Sequence, residues 1–329
     1  MTPSLATGAD DAAFMAAALA LGDEARGTTA PNPNVGCVVV ADGEIVGRGA
    51  TQPGGRPHAE AVALAEAGAG ASDATLYTSL EPCAHVSPRG PACADLIAAA
   101  GIARVCVALP DPDPRTAGQG IARMRDAGIR VDVGQGAVNA TRSLAGFLTR
   151  LALGRPFVTL KLAISIDGRI AMADGTSRYI TGPEARAHGH LQRARSDAIL
   201  VGRGTYDADA PRLDVRLPGL EDRSPRRFVL TAGDARPGWI ALAAPGDIAR
   251  LHDVNDLLIE GGGKTAAAFL ATDLVDRLLI YTAPIFIGGT GRAAVGALDL
   301  PDLAAAHGRW HRHESALLGS DRLDVYERA

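Results

Sequence analysis

The first half of this chain contains no lysine. Residues 1–154 carry 11 arginines against 15 acidic residues, while residues 155–329 carry 22 charges of each sign, so the net charge of −4 belongs to the first half. Neither half has the basic excess of a nucleic-acid binder, and at 4% aromatic residues there is little to stack on bases. No run of about 18 apolar residues argues for a membrane span. The first 25 residues are acidic and alanine-rich with no basic segment, which argues against a signal peptide. Four cysteines in 329 residues cannot make a disulfide framework, so a reducing cytoplasm with metal-binding or buried thiols is expected. What is present is an ordinary globular composition, 47% hydrophobic and 21% charged, able to bury a core. The length favours two domains of roughly 150 residues.

Asp11 to Ala25 reads as a helix with Phe14, Ala17, Ala18 and Leu21 on one face. Val35–Val40 and Glu44–Gly49 around Asp42-Gly43 read as a hairpin. Helices are expected from Pro57 to about Ala67, over Cys93–Ala100 and over Gln119–Ala127, alternating with strands Thr75–Ser79, Val105–Leu109 and Ile129–Val133. That order implies a mixed sheet covered by helices. One helical stretch, Val138–Leu153, ends at Gly154-Arg155-Pro156, the expected domain boundary, giving domains 1–154 and 155–329. Beyond it, strands are expected at Phe157–Ile164, Ala198–Val201, Arg227–Thr231, Leu257–Ile259 and Leu278–Ala283. A helix is expected at Pro183–Arg195, and two closing strands near Trp310–Leu318 and Arg322–Glu327.

The chemistry-bearing stretch of the first half is His58-Ala59-Glu60, read with Pro82-Cys83 and Cys93. Each cysteine stands where helical sequence could begin. One imidazole and two thiolates make a zinc site with an open position, where zinc lowers the pKa of a water toward about 7. A His-x-Glu followed by Pro-Cys-x-x-Cys marks zinc deaminases, the glutamate serving as general acid and base. Here the second cysteine stands ten positions after Cys83 rather than three. His85 competes as a nitrogen ligand, whereas Cys37 and Cys106 sit in strands and read as buried thiols. In the second half, Glu260-Gly261-Gly262-Gly263-Lys264-Thr265 lacks the first glycine of a Walker loop, since Leu258 stands there. A strand running through glycines into a helix is still an anion site.

Thr29-x-Pro31-Asn32-Pro33-Asn34-Val35-Gly36-Cys37, His58-Ala59-Glu60 and Glu81-Pro82-Cys83-x-His85 resemble the deaminase domain of the bifunctional riboflavin-biosynthesis RibD family. That family also separates its cysteines by a long, proline-containing loop, here one residue longer than its usual spacing. Pro156-x-Val158-x-x-Lys161-x-Ala163-x-Ser165-x-Asp167-Gly168, Ile180-Thr181-Gly182, Ser196 to Gly202, Thr205-x-x-x-Asp209-x-Pro211-x-Leu213 and Glu260-Gly261-Gly262 are similar to its reductase domain. The resemblance implies an α/β chain: a cytidine-deaminase-like three-layer αβα domain, then a dihydrofolate-reductase-like domain. It implies zinc on His58, Cys83 and Cys93, Glu60 as proton carrier, and Asn32 and His85 on the pyrimidine, with Asn34 a weaker candidate. It implies NADPH on Ala163, Tyr179, Thr205, Asp209, Gly262, Gly263, Lys264, Thr265, Ala266, Ala267 and Ala268. For the ribose phosphate it implies Ser177, Arg193, Leu213, Arg216 and Glu260, with Lys161 and Asp209 handling protons.

The resulting expectation is successive hydrolytic deamination and NADPH-dependent reduction of a phosphoribosylaminopyrimidine, by a cytoplasmic homo-oligomer, dimer or tetramer, with no nucleic-acid or membrane partner. Two rivals share the zinc motif. One is a deaminase of another base or nucleoside with a repurposed second half; the other is a nucleic-acid editing protein. The match of both halves weighs against the first, and the acidic, lysine-free first half against the second.

Overall fold

A computed structural model describes residues 8–85, 90–177 and 179–329. The chain divides into two compact units, one ending at Gly154 and the other beginning at Arg155.

In the first unit α1 (Gly8–Ala25) precedes the hairpin β1 (Gly36–Ala41) and β2 (Glu44–Ala50), which turns at Asp42-Gly43. There follow α2 (Ala59–Ala67), β3 (Thr75–Thr78), α3 (Cys93–Ala99), β4 (Arg104–Val107), α4 (Gln119–Asp126), β5 (Arg130–Val133), α5 (Ala137–Ser143) and α6 (Ala145–Leu153). The sheet runs β2-β1-β3-β4-β5, antiparallel across β2, β1 and β3 and parallel from β3 to β5. The two-residue period of β1 makes the layers. Cys37 and Val39 join Ala63 of α2, Ile97 of α3, Met124 of α4 and Phe147 of α6 on one face. Val38 and Val40 join Met15 and Ala18 of α1 and Ala140 of α5 on the other. The single helix expected over Val138–Leu153 is two helices. They break at Leu144, whose side chain is buried in the first of these clusters.

The second unit contains β6 (Phe157–Ser165), β7 (Arg169–Ala171), α7 (Pro183–Ala194), β8 (Ala198–Gly202), α8 (Arg203–Asp209), β9 (Arg226–Leu230) and β10 (Ile240–Leu242). It continues with β11 (Asp256–Glu260), α9 (Gly263–Ala271), β12 (Arg277–Ala283), β13 (Arg292–Ala293), β14 (Trp310–Leu318) and β15 (Asp321–Arg328). Eight strands run β10-β9-β8-β11-β6-β12-β15-β14, parallel through β12 and antiparallel over the last two. Phe269 and Ala266 of α9 pack with Leu160, Leu200 and Ile259 on one face. Tyr206 of α8 covers Ile199 and Val201, and Ala185 of α7 covers Leu279 and Tyr281, on the other. The sequence reading lacks α8 and the short strands β7, β10 and β13. The α8 run Arg-Gly-Thr-Tyr-Asp-Ala-Asp has one large apolar residue and no helical period, and β10 is a three-residue edge strand.

Candidate functional site

The helix that carries His58 and Glu60 lies almost on the backbone of β2. A Cβ on Gly49 would stand 2.1 Å from the carbonyl oxygen of Ala59, so only glycine allows this approach. His58 is the N-cap of α2, in extended backbone and making no capping bond with its side chain; its ring is left to face the thiols. Cys93 opens α3 as expected, but Cys83 lies in the loop after β3 and begins no helix. That loop is clamped instead. The buried Glu81 carboxylate accepts from the backbone N–H groups of Asp111 (3.1 Å), Gly118 (3.0 Å) and Ile121 (3.1 Å). A Cβ on Gly120 would stand 2.0 Å from the carbonyl oxygen of Pro82.

These supports bring His58 Nδ1 to 3.5 Å from Cys83 Sγ and 3.4 Å from Cys93 Sγ, and the N–H of Cys93 donates to Cys83 Sγ at 3.3 Å. One ligand atom from each residue lies within 4.8 Å of the others. Hydrogen bonding from Cys93, then from His58, pulls Cys83 down to about 4 against the cost of burial. The shared bond with Cys83, with burial, pushes Cys93 up. A divalent cation among the three atoms would stabilise both thiolates, and two thiols with one imidazole suit zinc with a fourth position open. Glu60 is 3% exposed; burial raises its carboxyl above the usual range, with Cys83 adding to that and His58 opposing it.

His58, Glu60, Cys83, Asn32 and His85 line one cavity of about 530 Å³. Nδ1 of His85 is buried with no hydrogen-bond partner among the described residues. Part of the long loop between the cysteines, residues 86–89, lies outside the described residues. Asn34 does not line the cavity. Its amide donates to Gly22 O at 3.1 Å and to Ser143 O and Oγ at 3.3 Å, tying the Asn-Pro loop to α1 and α5. Cys37 and Cys106 are buried thiols, both pushed up chiefly by burial, Cys106 to about 12. The sequence reading missed Asp111, Asp113 and Arg115, which line the same cavity. Their Asp-Pro-Asp-Pro run beyond the carboxyl end of β4 was the available signal, since ligand sites of α/β sheets lie there. Burial is the main cause that pushes Asp111 up to about 6.

A larger cavity, about 900 Å³, occupies the second unit where β6, β8 and β11 end. Ala163, Ser177, Tyr179, Thr205, Asp209, Leu213, Arg216 and Gly262–Thr265 line it. Glu260 holds its polar wall: Arg193 donates from Nε (2.7 Å) and Nη2 (2.9 Å) to its two oxygens, and Lys161 Nζ lies at 3.8 Å. Burial alone would raise the Glu260 carboxyl, but Lys161 and Arg193 outweigh it and hold it at about 2. Tyr179 is 75% exposed with the Arg186 guanidinium 4.9 Å from its ring centre. The run expected to reach cofactor through Ala268 lines the cavity only as far as Thr265. Ala266 and Ala267 are buried in the packing of α9, whose turn carries them away from the opening, and Ala268 is likewise absent from the lining. His190, Arg186 and Arg292 line the cavity and were not anticipated.

Residues 9–109 match the cytidine and deoxycytidylate deaminase zinc-binding region, and residues 156–237 and 247–317 match the RibD C-terminal domain. The riboflavin biosynthesis protein RibD of Haemophilus influenzae is 37% identical, over 94% of this chain and 95% of its own length. This chain belongs to the RibD family. The Escherichia coli RibD is 40% identical over 89% of this chain and 92% of its own. The solved Acinetobacter baumannii RibD superposes with a TM-score of 0.87 at 34% identity, covering 98% of this chain and all of that one. A Thermotoga maritima diaminohydroxyphosphoribosylaminopyrimidine deaminase/5-amino-6-(5-phosphoribosylamino)uracil reductase reaches 0.86 at 28% identity. RibD membership fits the order seen here, a zinc deaminase fold and then a reductase fold, and makes the chain a bifunctional deaminase and reductase of riboflavin biosynthesis.

Proposed function

We propose that the first unit hydrolytically deaminates 2,5-diamino-6-hydroxy-4-(5-phosphoribosylamino)pyrimidine. The second unit then reduces the ribosyl side chain to give 5-amino-6-(5-phosphoribitylamino)uracil. The observation that carries this reading is the His58, Cys83 and Cys93 cluster with Glu60 buried beside it, where His58, Cys83 and Glu60 share one cavity with Asn32 and His85. Zinc held there supplies a water of lowered pKa. Glu60, its carboxyl raised by burial, would be the group that takes up a proton at its carboxylate and delivers it to the departing ammonia. Asn32 and His85 orient the ring, His85 through the nitrogen that has no partner among the described residues.

In the second cavity NADPH, when bound, supplies hydride for C1′ of the sugar. Ala163, Tyr179, Thr205, Asp209 and the amides of Gly262–Thr265 line its place, and the start of α9 suits its phosphates. Ser177, Arg193, Leu213, Arg216 and Glu260 hold the ribose phosphate. Lys161, steadied at Nζ by Glu260, and Asp209 at the end of α8 move the protons that ring opening and reduction require. The active protein is a cytoplasmic homo-oligomer, dimer or tetramer, with no nucleic-acid partner. The reduced, buried cysteines suit such a compartment, and no helix among the described residues is long and apolar enough to cross a membrane. The test supplies the diaminopyrimidine ribosyl phosphate with and without NADPH. Uracil product without NADPH and ribityl product with it are expected; ribityl formation without prior ammonia release contradicts the order of steps.

A further inference from the structure

A sugar phosphate brings a dianion into the deaminase cavity as well as the reductase cavity. Glu60, Asn32 and His85 are assigned to the chemistry and the ring, and none of them accounts for that charge. Among the described residues, three arginines line the deaminase cavity: Arg56, Arg115 and Arg150. Arg115 is committed to Asp113, donating from Nε to both carboxylate oxygens at 3.0 and 3.1 Å. Arg150 donates to the carbonyl oxygen of Pro31 and lies 5.8 Å from the ring centre of Phe147.

Arg56 differs. It is half-buried, and it has no hydrogen bond, ion pair or ring contact among the described residues. Its backbone is fixed, because Gly55 N–H donates to Gln52 O at 2.8 Å and Gln52 N–H to Pro57 O at 3.0 Å. A Cβ built on Gly90 would stand 3.7 Å from Arg56 Nη1, so the guanidinium lies beside the backbone that leads into Cys93. A half-buried cation at a cavity wall that gains no partner among the described residues has lost part of its hydration without compensation from them. An anionic group of the ligand would supply one, and a guanidinium fork matches phosphate oxygens two at a time.

We propose that Arg56 is the phosphate anchor of the deaminase site and makes that site selective for 5′-phosphorylated ribosylaminopyrimidines over the corresponding ribosides. The assignment rests on the reading of the first unit as a deaminase of a sugar-phosphate substrate. The test measures ammonia release without NADPH by wild type, Arg56→Met and Arg56→Lys, on the phosphorylated substrate and on the same molecule lacking the phosphate. Arg56→Met raises KM for the phosphorylated substrate about 10- to 100-fold. It leaves kcat, and KM for the riboside, within about twofold of wild type. Arg56→Lys recovers part of the loss, while zinc content and NADPH oxidation on the deaminated substrate stay at wild-type values. An unchanged KM for the phosphorylated substrate, or equal losses on both substrates, overturns the assignment. A wild-type protein that releases no ammonia from either substrate overturns the deaminase reading itself, and the Arg56 assignment with it.

Discussion

Glu60 and Glu260 are both carboxylic acids at a cavity wall, the first buried and the second half-buried, and their surroundings push them in opposite directions. Glu60 lies among thiols and an imidazole, and burial raises its carboxyl. Glu260 lies between Arg193 and Lys161, which overcome burial and hold it at about 2. A buried carboxyl raised toward neutrality can take up and release a proton during turnover; one pinned by two cations stays ionised and can only hold. Under the proposed function, the first cavity would move a proton through its carboxyl, and the second would use its carboxyl as a fixed brace for Arg193 and Lys161.

Removing the Glu60 charge gives the largest expected effect. Glu60→Gln lowers deamination by about 10²- to 10⁴-fold, with zinc retained on elemental analysis and reduction of the deaminated substrate unchanged. Equal loss of both activities would break the division between the two carboxyls. Glu260→Gln leaves Arg193 and Lys161 without their acid. It lowers the stability of the second unit by about 3–5 kcal/mol in denaturant titration and impairs reduction while ammonia release continues.

Gly49→Ala forces α2 off β2 and costs about 1–3 kcal/mol. Because α2 carries His58, this change also lowers zinc content, whereas the reductase cavity has no part in it. Loss of stability with full zinc binding would show that the close approach of α2 does not set the metal site.

The smallest effects are in pH dependence, and they have opposite sign. The Glu260 carboxyl is depressed, so its contribution to stability is complete above its ordinary value of 4.5 and is lost as pH falls toward about 2. Asp111 is raised to about 6 from 3.8. It favours the folded state most below 3.8, and that contribution fades as pH rises through about 6. Asp111→Asn should flatten stability between these values, and Glu260→Gln should flatten it between about 2 and 4.5. Matching slopes in the two variants, read from denaturant midpoints across pH, would remove the contrast.

Much of the first site was legible because its residues sit at element boundaries with strong local signals. The Asp42-Gly43 turn marks the hairpin, and Pro57 and Gly101 bound helices that carry or follow the ligands. Asn34 illustrates the limit. Its loop pattern suggested a place beside the substrate, yet its partners are Gly22 and Ser143, the latter 109 residues away in sequence, and no local pattern reports such a contact. Glu81 was visible as part of a motif, but its role as acceptor for three backbone groups after β4 exists only once the strands pair. The second site was less readable from the residues themselves. Its cavity gathers residues scattered over β6, α7, α8, β11 and α9, and α8 has no helical period to announce it. Arg56 and Arg115 look alike as charges in the sequence; only the fold shows that Asp113 neutralises one and nothing among the described residues neutralises the other.

The most direct test of two separate sites in series is NADPH oxidation by Glu60→Gln, measured in parallel on the diaminopyrimidine ribosyl phosphate and on its deaminated product. Separate sites predict wild-type oxidation with the deaminated product and almost none with the diaminopyrimidine. Wild-type oxidation on the diaminopyrimidine, or none on either substrate, contradicts them.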